Sequence, residues 1–138
     1  MKSVTKEIEA IKPSVVGRTL TNLYHTKLSE KFELLPGVSH VLYFRTIIEL
    51  DHTEHYDFWK SYLNKWNSTE QLFPVSNEQW DVPDSRFFIG QKVKDIKVDH
   101  HGQVYLILEN DIAIEHTIDY GDGIRIKPFK ELIEAEER

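Results

Sequence analysis

Two stretches of this chain read alike, and that likeness constrains the fold more than any single motif. Residues 41–57 are VLYFRTIIELDHTEHYD and residues 105–121 are YLILENDIAIEHTIDYG. At a fixed offset of 64, Leu42 matches Leu106, Ile48 matches Ile112 and His52 matches His116. Thr53 likewise matches Thr117 and Tyr56 matches Tyr120, with Asp51 opposite Glu115 and Leu50 opposite Ile114. Upstream, VVGRTLTNL at 15–23 resembles FIGQKVKDI at 88–96: an apolar pair, a glycine, then apolar residues three and six positions after it. That match needs an offset of 73, so the first copy carries nine extra loop residues. We read an internal duplication of a β-rich unit, at about 15–57 and 88–121, inside one domain spanning 1–138.

Local patterns fill in the rest. Residues 3–11 suit a short first helix capped by Ser3 and ended by Pro13, because the residue before a proline avoids helical geometry. Val15 to Tyr24 is β-branched and alternating, as a strand requires. SEKFELLPGVS then reads as a loop, and HVLYFRTIIELD as a long strand bending near Arg45-Thr46. From Thr53 the period changes: Trp59, Tyr62, Leu63 and Trp66 fall at i, i+3, i+4 and i+7, the stripe of an amphipathic helix. A central helix is therefore expected at about 53–66. Residues 67–85 are rich in turn formers, a long connection with a short helical turn after Ser76. VYLILEND and IAIEHTID form a hairpin about Asn110-Asp111, a pair that tolerates the positive φ of tight turns. YGDG is a further turn, IRIKPF a short strand and KELIEAEER a terminal helix. The expected fold is α+β: a mostly antiparallel sheet from two related β units, packed by the central helix, with short terminal helices.

Composition limits the functions such a fold serves. The 138 residues hold 40% hydrophobic residues and no cysteine, which suits a globular domain without disulfides or thiolate chemistry. The N-terminal MKSVTKEIEAIKPS lacks the apolar run of a signal peptide, and no window has the length to cross a bilayer. A cytoplasmic protein is expected. Net charge is −6, and the nearest thing to a basic cluster is Lys92, Lys94, Lys97, Arg125 and Lys127. That disfavours nucleic acid and allows a basic protein partner.

DHTEHYD at 51–57 is the densest chemistry in the chain. Two readings follow. In one, [D/E]-H-T-x-x-Y is repeated scaffold, where Asp and Thr turn the chain by hydrogen-bonding nearby backbone N–H groups. In the other, His52, His55, His116 and Asp119 converge across an approximate two-fold on one divalent transition metal. HTEH is not HExxH or HxxEH, since its glutamate is misplaced for a zinc protease. No phosphate-binding glycine loop occurs, and Ser14, Ser39, Ser61 and Ser85 lack a nucleophile-elbow context. His100-His101 reads as a solvated turn. Trp59, Trp66 and Trp80 suit core packing or, if exposed, an interface.

FIGQKVKDIKVD followed by VYLILENDIAIEH resembles the small bacterial immunity proteins that accompany secreted toxins, over about residues 88–116 with an echo at 15–52. The resemblance implies a protein that binds and blocks one cognate toxin domain, and the lack of a catalytic signature leads us to expect a non-enzymatic role without a cofactor. On that expectation Asp51, Glu54, Asp57, Glu115, Asp119 and Asp122 face a basic toxin surface. The metal-dependent protein or enzyme using His52, His55, His116 and Asp119 stands as the alternative.

Overall fold

The structure, a computed structural model, describes residues 2–27, 32–36, 38–40, 43–75, 82–116 and 124–136. Helix α1 (Lys2–Val15) leads into β1 (Leu20–Lys27), the hairpin β2 (Phe32–Leu35) and β3 (Val38–His40), then β4 (Tyr43–Leu50), β5 (Glu54–Trp59), β6 (Tyr62–Lys65) and β7 (Leu72–Pro74). A 3-10 turn at Ser85–Phe87 precedes β8 (Val93–Val98), β9 (Val104–Leu108), β10 (Ile112–His116), β11 (Ile124–Pro128) and α2 (Phe129–Glu136). One antiparallel sheet runs β6-β5-β4-β1-β7, a second runs β11-β10-β9-β8, and β2-β3 stand apart. The class is α+β and mostly antiparallel sheet. No described helix is long and apolar enough to cross a membrane.

The two sheets use one set of registers. In the first, Leu20 faces Leu50, Leu23 faces Ile48, and a register shift falls between Leu20 and Asn22. In the second, Val93 faces Leu108, Ile96 faces Leu106, and the shift falls between Val93 and Asp95. The next strands agree: Ile48 faces Tyr56 as Leu106 faces Ile114. Phe58 faces Leu63 as His116 faces Ile124. The residue correspondence is thus 73 for β1 to β8, as the sequence suggests, but 58 for β4-β5 to β9-β10. An offset of 64 sets the middle of β4 against the turn that closes the β9-β10 hairpin.

Where the halves meet, their backbones bond reciprocally. Gly17 N donates to Val93 O and Gly90 N to Leu20 O, both at 2.8 Å. Leu20 N donates to Gln91 O at 2.9 Å and Val93 N to Arg18 O at 2.8 Å. Gly17 and Gly90 have φ of 90° and 91°, a conformation open to glycine and strained for other residues.

Alternation decides the core. Leu23, Ile48, Leu50, Tyr56, Phe58 and Leu63 of the first sheet join Val93, Ile96, Leu106, Leu108, Ile114 and Ile124 of the second in one buried cluster. Ile8 and Val15 of α1 belong to it too. The outer face of the second sheet is covered by α2, whose Leu132 packs on Tyr105, Ile107 and Ala113.

The expected central helix at 53–66 is replaced by the β5-β6 hairpin. Trp59, Tyr62, Leu63 and Trp66 have helical spacing, but Tyr56 and Phe58 point into the core at strand spacing. Their aromatic bulk suits a pleated surface, and β4 gains a partner for its backbone groups. Helix α1 runs past Pro13 to Val15, so the strand expected from Val15 begins at Leu20. Pro13 sits in the last turn, and Val16 N still closes on Lys12 O at 2.9 Å. The loop expected at 29–39 contains the β2-β3 hairpin, and the 67–85 connection contains β7. β4 runs unbroken through Arg45-Thr46; the irregularity lies opposite, between His25 and Lys27 of β1. The helical turn expected after Ser76 and the YGDG turn lie outside the described residues. The turn about Asn110-Asp111 has Asp111 at φ 66°.

Nothing lies within 4 Å of a Cβ built at Gly17 or at Gly90, so an alanine there meets backbone strain and no clash. Gly17→Ala and Gly90→Ala should each cost about 1–2 kcal/mol in urea unfolding, and by the same amount. A loss at only one position would break their equivalence.

Candidate functional site

DHTEHYD forms the tight β4-β5 turn and most of β5. Asp51 and His52 take φ of 53° and 61°, and Asp tolerates that region better than most residues. The strain is held by bonds to β1's approach: Asp51 Oδ1 accepts from Thr19 N at 3.0 Å, and His52 N donates to Thr21 Oγ1 at 3.0 Å. The pleat then sends Glu49, His55 and Asp57 outward while Ile48, Tyr56 and Phe58 face the core.

Glu49 centres the outer face. Its Oε1 accepts from Thr21 Oγ1 and Asn22 Nδ2, both at 2.8 Å. Its Oε2 accepts from Tyr24 OH at 3.2 Å and lies 3.0 Å from His55 Nε2. His52 Nδ1 stands 3.6 Å from Oε1. Burial pushes this carboxyl up, but the bonds from Asn22, Thr21, His55 and Tyr24 outweigh it and hold Glu49 below the ordinary range. Next to it, Arg45 pairs with Asp57, which also accepts from Tyr62 OH at 3.0 Å. The Arg45 guanidinium lies 5.5 Å over the Trp66 ring.

A second network sits where the turn meets the end of α1. Arg18 Nε donates to Asp51 Oδ2 at 2.7 Å, and its Nη1 pairs with Glu54. Tyr56 OH donates to Glu54 Oε2 at 3.1 Å, and Lys65 Nζ is 3.7 Å from Glu54 Oε1. The Arg18 guanidinium holds both Asp51 and Glu54 below the usual carboxylate range. Beside this network lies a cleft of about 430 Å³, lined by Ile11, Pro13, Ser14, Arg18, Glu54, Tyr56 and Lys65.

These positions sort the residues named from sequence. His52 and His55 do flank one carboxylate, but it is Glu49's. His116 stacks on Trp59 with ring centroids 4.2 Å apart, and Gln103 Nε2 donates to its carbonyl at 3.0 Å. Trp59 lies four residue steps along β5 from His55, about 13 Å at strand rise. The registers set His52 against Asn110 and His55 against Ala113, so the histidines are not a repeated element. Among the described residues no three His, Cys, Asp or Glu side chains group as a metal site. Asp119 and Asp122 lie outside the described residues. Of the acidic side chains expected to face a partner, Glu115 is fully buried beside Arg125 at 3.2 Å, and Asp57 is 5% exposed. Neither is displayed. Asp51 and Glu54 are at the surface, already facing Arg18.

Glu49 and Arg18 were not singled out from sequence. Glu49 is the one acid within the apolar run of β4, at an outward position, which is a legible signal once the strand is drawn. Arg18 is legible only when the sheet register brings Asp51 and Glu54 to it. No family model matches the chain, and neither the curated proteins nor the solved structures give a match.

Because Glu49 is held below its ordinary value of 4.5, the unfolded chain binds its proton more readily. Its contribution is complete above that value and is lost as pH falls through the lower folded value. Glu49→Gln should cost about 1.5–3 kcal/mol at pH 7 and flatten the acid limb of a urea-midpoint profile. An unchanged acid limb would contradict this assignment.

Proposed function

We propose that this protein is a non-enzymatic binding module whose docking surface is the outer face of the β4-β5-β6 hairpin. Its partner is a protein, and the toxin-blocking role of the immunity proteins it resembles is the finer form of the same reading. The observation that supports it most is that the titratable side chains of DHTEHYD, apart from the exposed His52, are spent on internal partners. Asp51 and Glu54 bind Arg18, His55 meets Glu49, and Asp57 holds Arg45 and Tyr62. A carboxylate with four bonds and a lowered pKa is a weak general base. The same bonds fix the surface before any partner arrives, which reduces the ordering cost of association. That surface carries Arg45, Tyr62, Trp66 and Tyr24, residue types that dominate binding hot spots. A net charge of −6 favours encounter with a basic toxin domain. No metal or other cofactor enters this reading.

Tagged protein, used for capture from the source organism's lysate, should retain one stoichiometric protein read by mass spectrometry. The variant His52→Ala/Trp66→Ala, changed at this face, should retain about tenfold less of it. No stoichiometric partner, or equal retention by the variant, would overturn the proposal.

A further inference from the structure

The repeated registers supply an internal control for each position in the cleft between α1 and the β4-β5 turn. Arg18, Glu54, Tyr56 and Lys65 correspond to Gln91, Ile112, Ile114 and Ile126 of the second half. In the second half, Ile114 and Ile126 are core, and Ile112 packs against it. The fold therefore closes this corner with aliphatic side chains in one half. In the other it places two cations, a carboxylate and a phenol around open space, a set the architecture does not require.

The cleft's chemistry is specific. Its lining carries Arg18, Lys65 and Glu54, and Asp51 pairs with Arg18 from outside it, so Lys65 is the cation held least tightly. Arg18 uses Nε on Asp51 and Nη1 on Ser14 O and Glu54, and its guanidinium also meets the Tyr56 hydroxyl. Lys65 touches Glu54 only at 3.7 Å, beyond hydrogen-bond length, and its side chain is 55% exposed. Ile11 and Pro13 supply an apolar wall, and a volume of about 430 Å³ accepts a small organic molecule. A guanidinium edge and an ammonium beside an apolar wall suit a carboxylate on an apolar stem.

The geometry points to this cleft as a binding site for a small aliphatic carboxylate, its charged end on Lys65 Nζ at the edge of the Arg18 guanidinium and its stem against Ile11 and Pro13. This goes beyond the protein-docking face and does not depend on it.

Hexanoate and hexanamide are the probes, titrated into the full chain with amide chemical shifts read by NMR. Hexanoate should shift Ile11, Ser14, Arg18 and Lys65, bind at least about tenfold more tightly than hexanamide, and weaken about tenfold in Lys65→Gln. The Lys65 side chain is 55% exposed, so that variant should fold, and its amide spectrum checks this directly. A second variant, Ile11→Ala, should weaken hexanoate while leaving acetate unchanged. Equal binding of hexanamide, shifts elsewhere, or hexanoate binding unaffected by Lys65→Gln would overturn the assignment.

Discussion

Everything in this fold is referred to the backbone exchange at Gly17 and Gly90. Each glycine turns through positive φ and donates its N–H to the opposite half, and Leu20 and Val93 donate in return. Four short bonds over so few residues fix how two antiparallel sheets approach. The approach in turn decides which side of each strand is core. Ile48 and Leu106, or Tyr56 and Ile114, face the same interior because their sheets start from the same anchored residue. A shift of one residue at either glycine would turn Glu49 and Asp57 into the core and Ile48 and Tyr56 out of it.

Against that common frame the halves diverge in chemistry, and the divergence is concentrated in one place. The outer face of the second sheet is apolar at Tyr105, Ile107 and Ala113 because α2 covers it. The matching positions of the first sheet are Ile47, Glu49 and His55, and Glu49 is satisfied by side chains of its own sheet. At the corner, three isoleucines and a glutamine are matched by Glu54, Tyr56, Lys65 and Arg18. One half carries the structural solution and the other carries polar, preorganised surface on both sides of a single turn.

Much of the architecture was legible in the sequence. The glycine-anchored match at offset 73 survives in the sheets because it rests on a backbone requirement, positive φ followed by two core positions. The β9-β10 hairpin was legible from Asn110-Asp111 and strict alternation. The match at offset 64 misled because it aligned residue types across a turn, and similarity of type carries no register. The helix expected at 53–66 failed for a related reason: four large side chains at helical spacing also occur by chance in an aromatic-rich hairpin, and only the pairing partner β4 decides between them. The candidate site was half legible. DHTEHYD stood out by composition, but Arg18, the partner of Asp51 and Glu54, and Thr21, Asn22 and Tyr24, the partners of Glu49, lie about thirty residues away and become neighbours only through the β1-β4 register.

The most direct test is to give the first half the second half's residues at the cleft, as Arg18→Gln/Glu54→Ile/Lys65→Ile, and measure urea unfolding at pH 7. If these charges serve binding and the fold is carried by the glycine exchange and the shared core, the midpoint stays the same or rises, as replacement of ion pairs by aliphatic side chains commonly allows. A loss of more than about 2 kcal/mol would show that the Arg18 network holds the fold together, and would contradict the account.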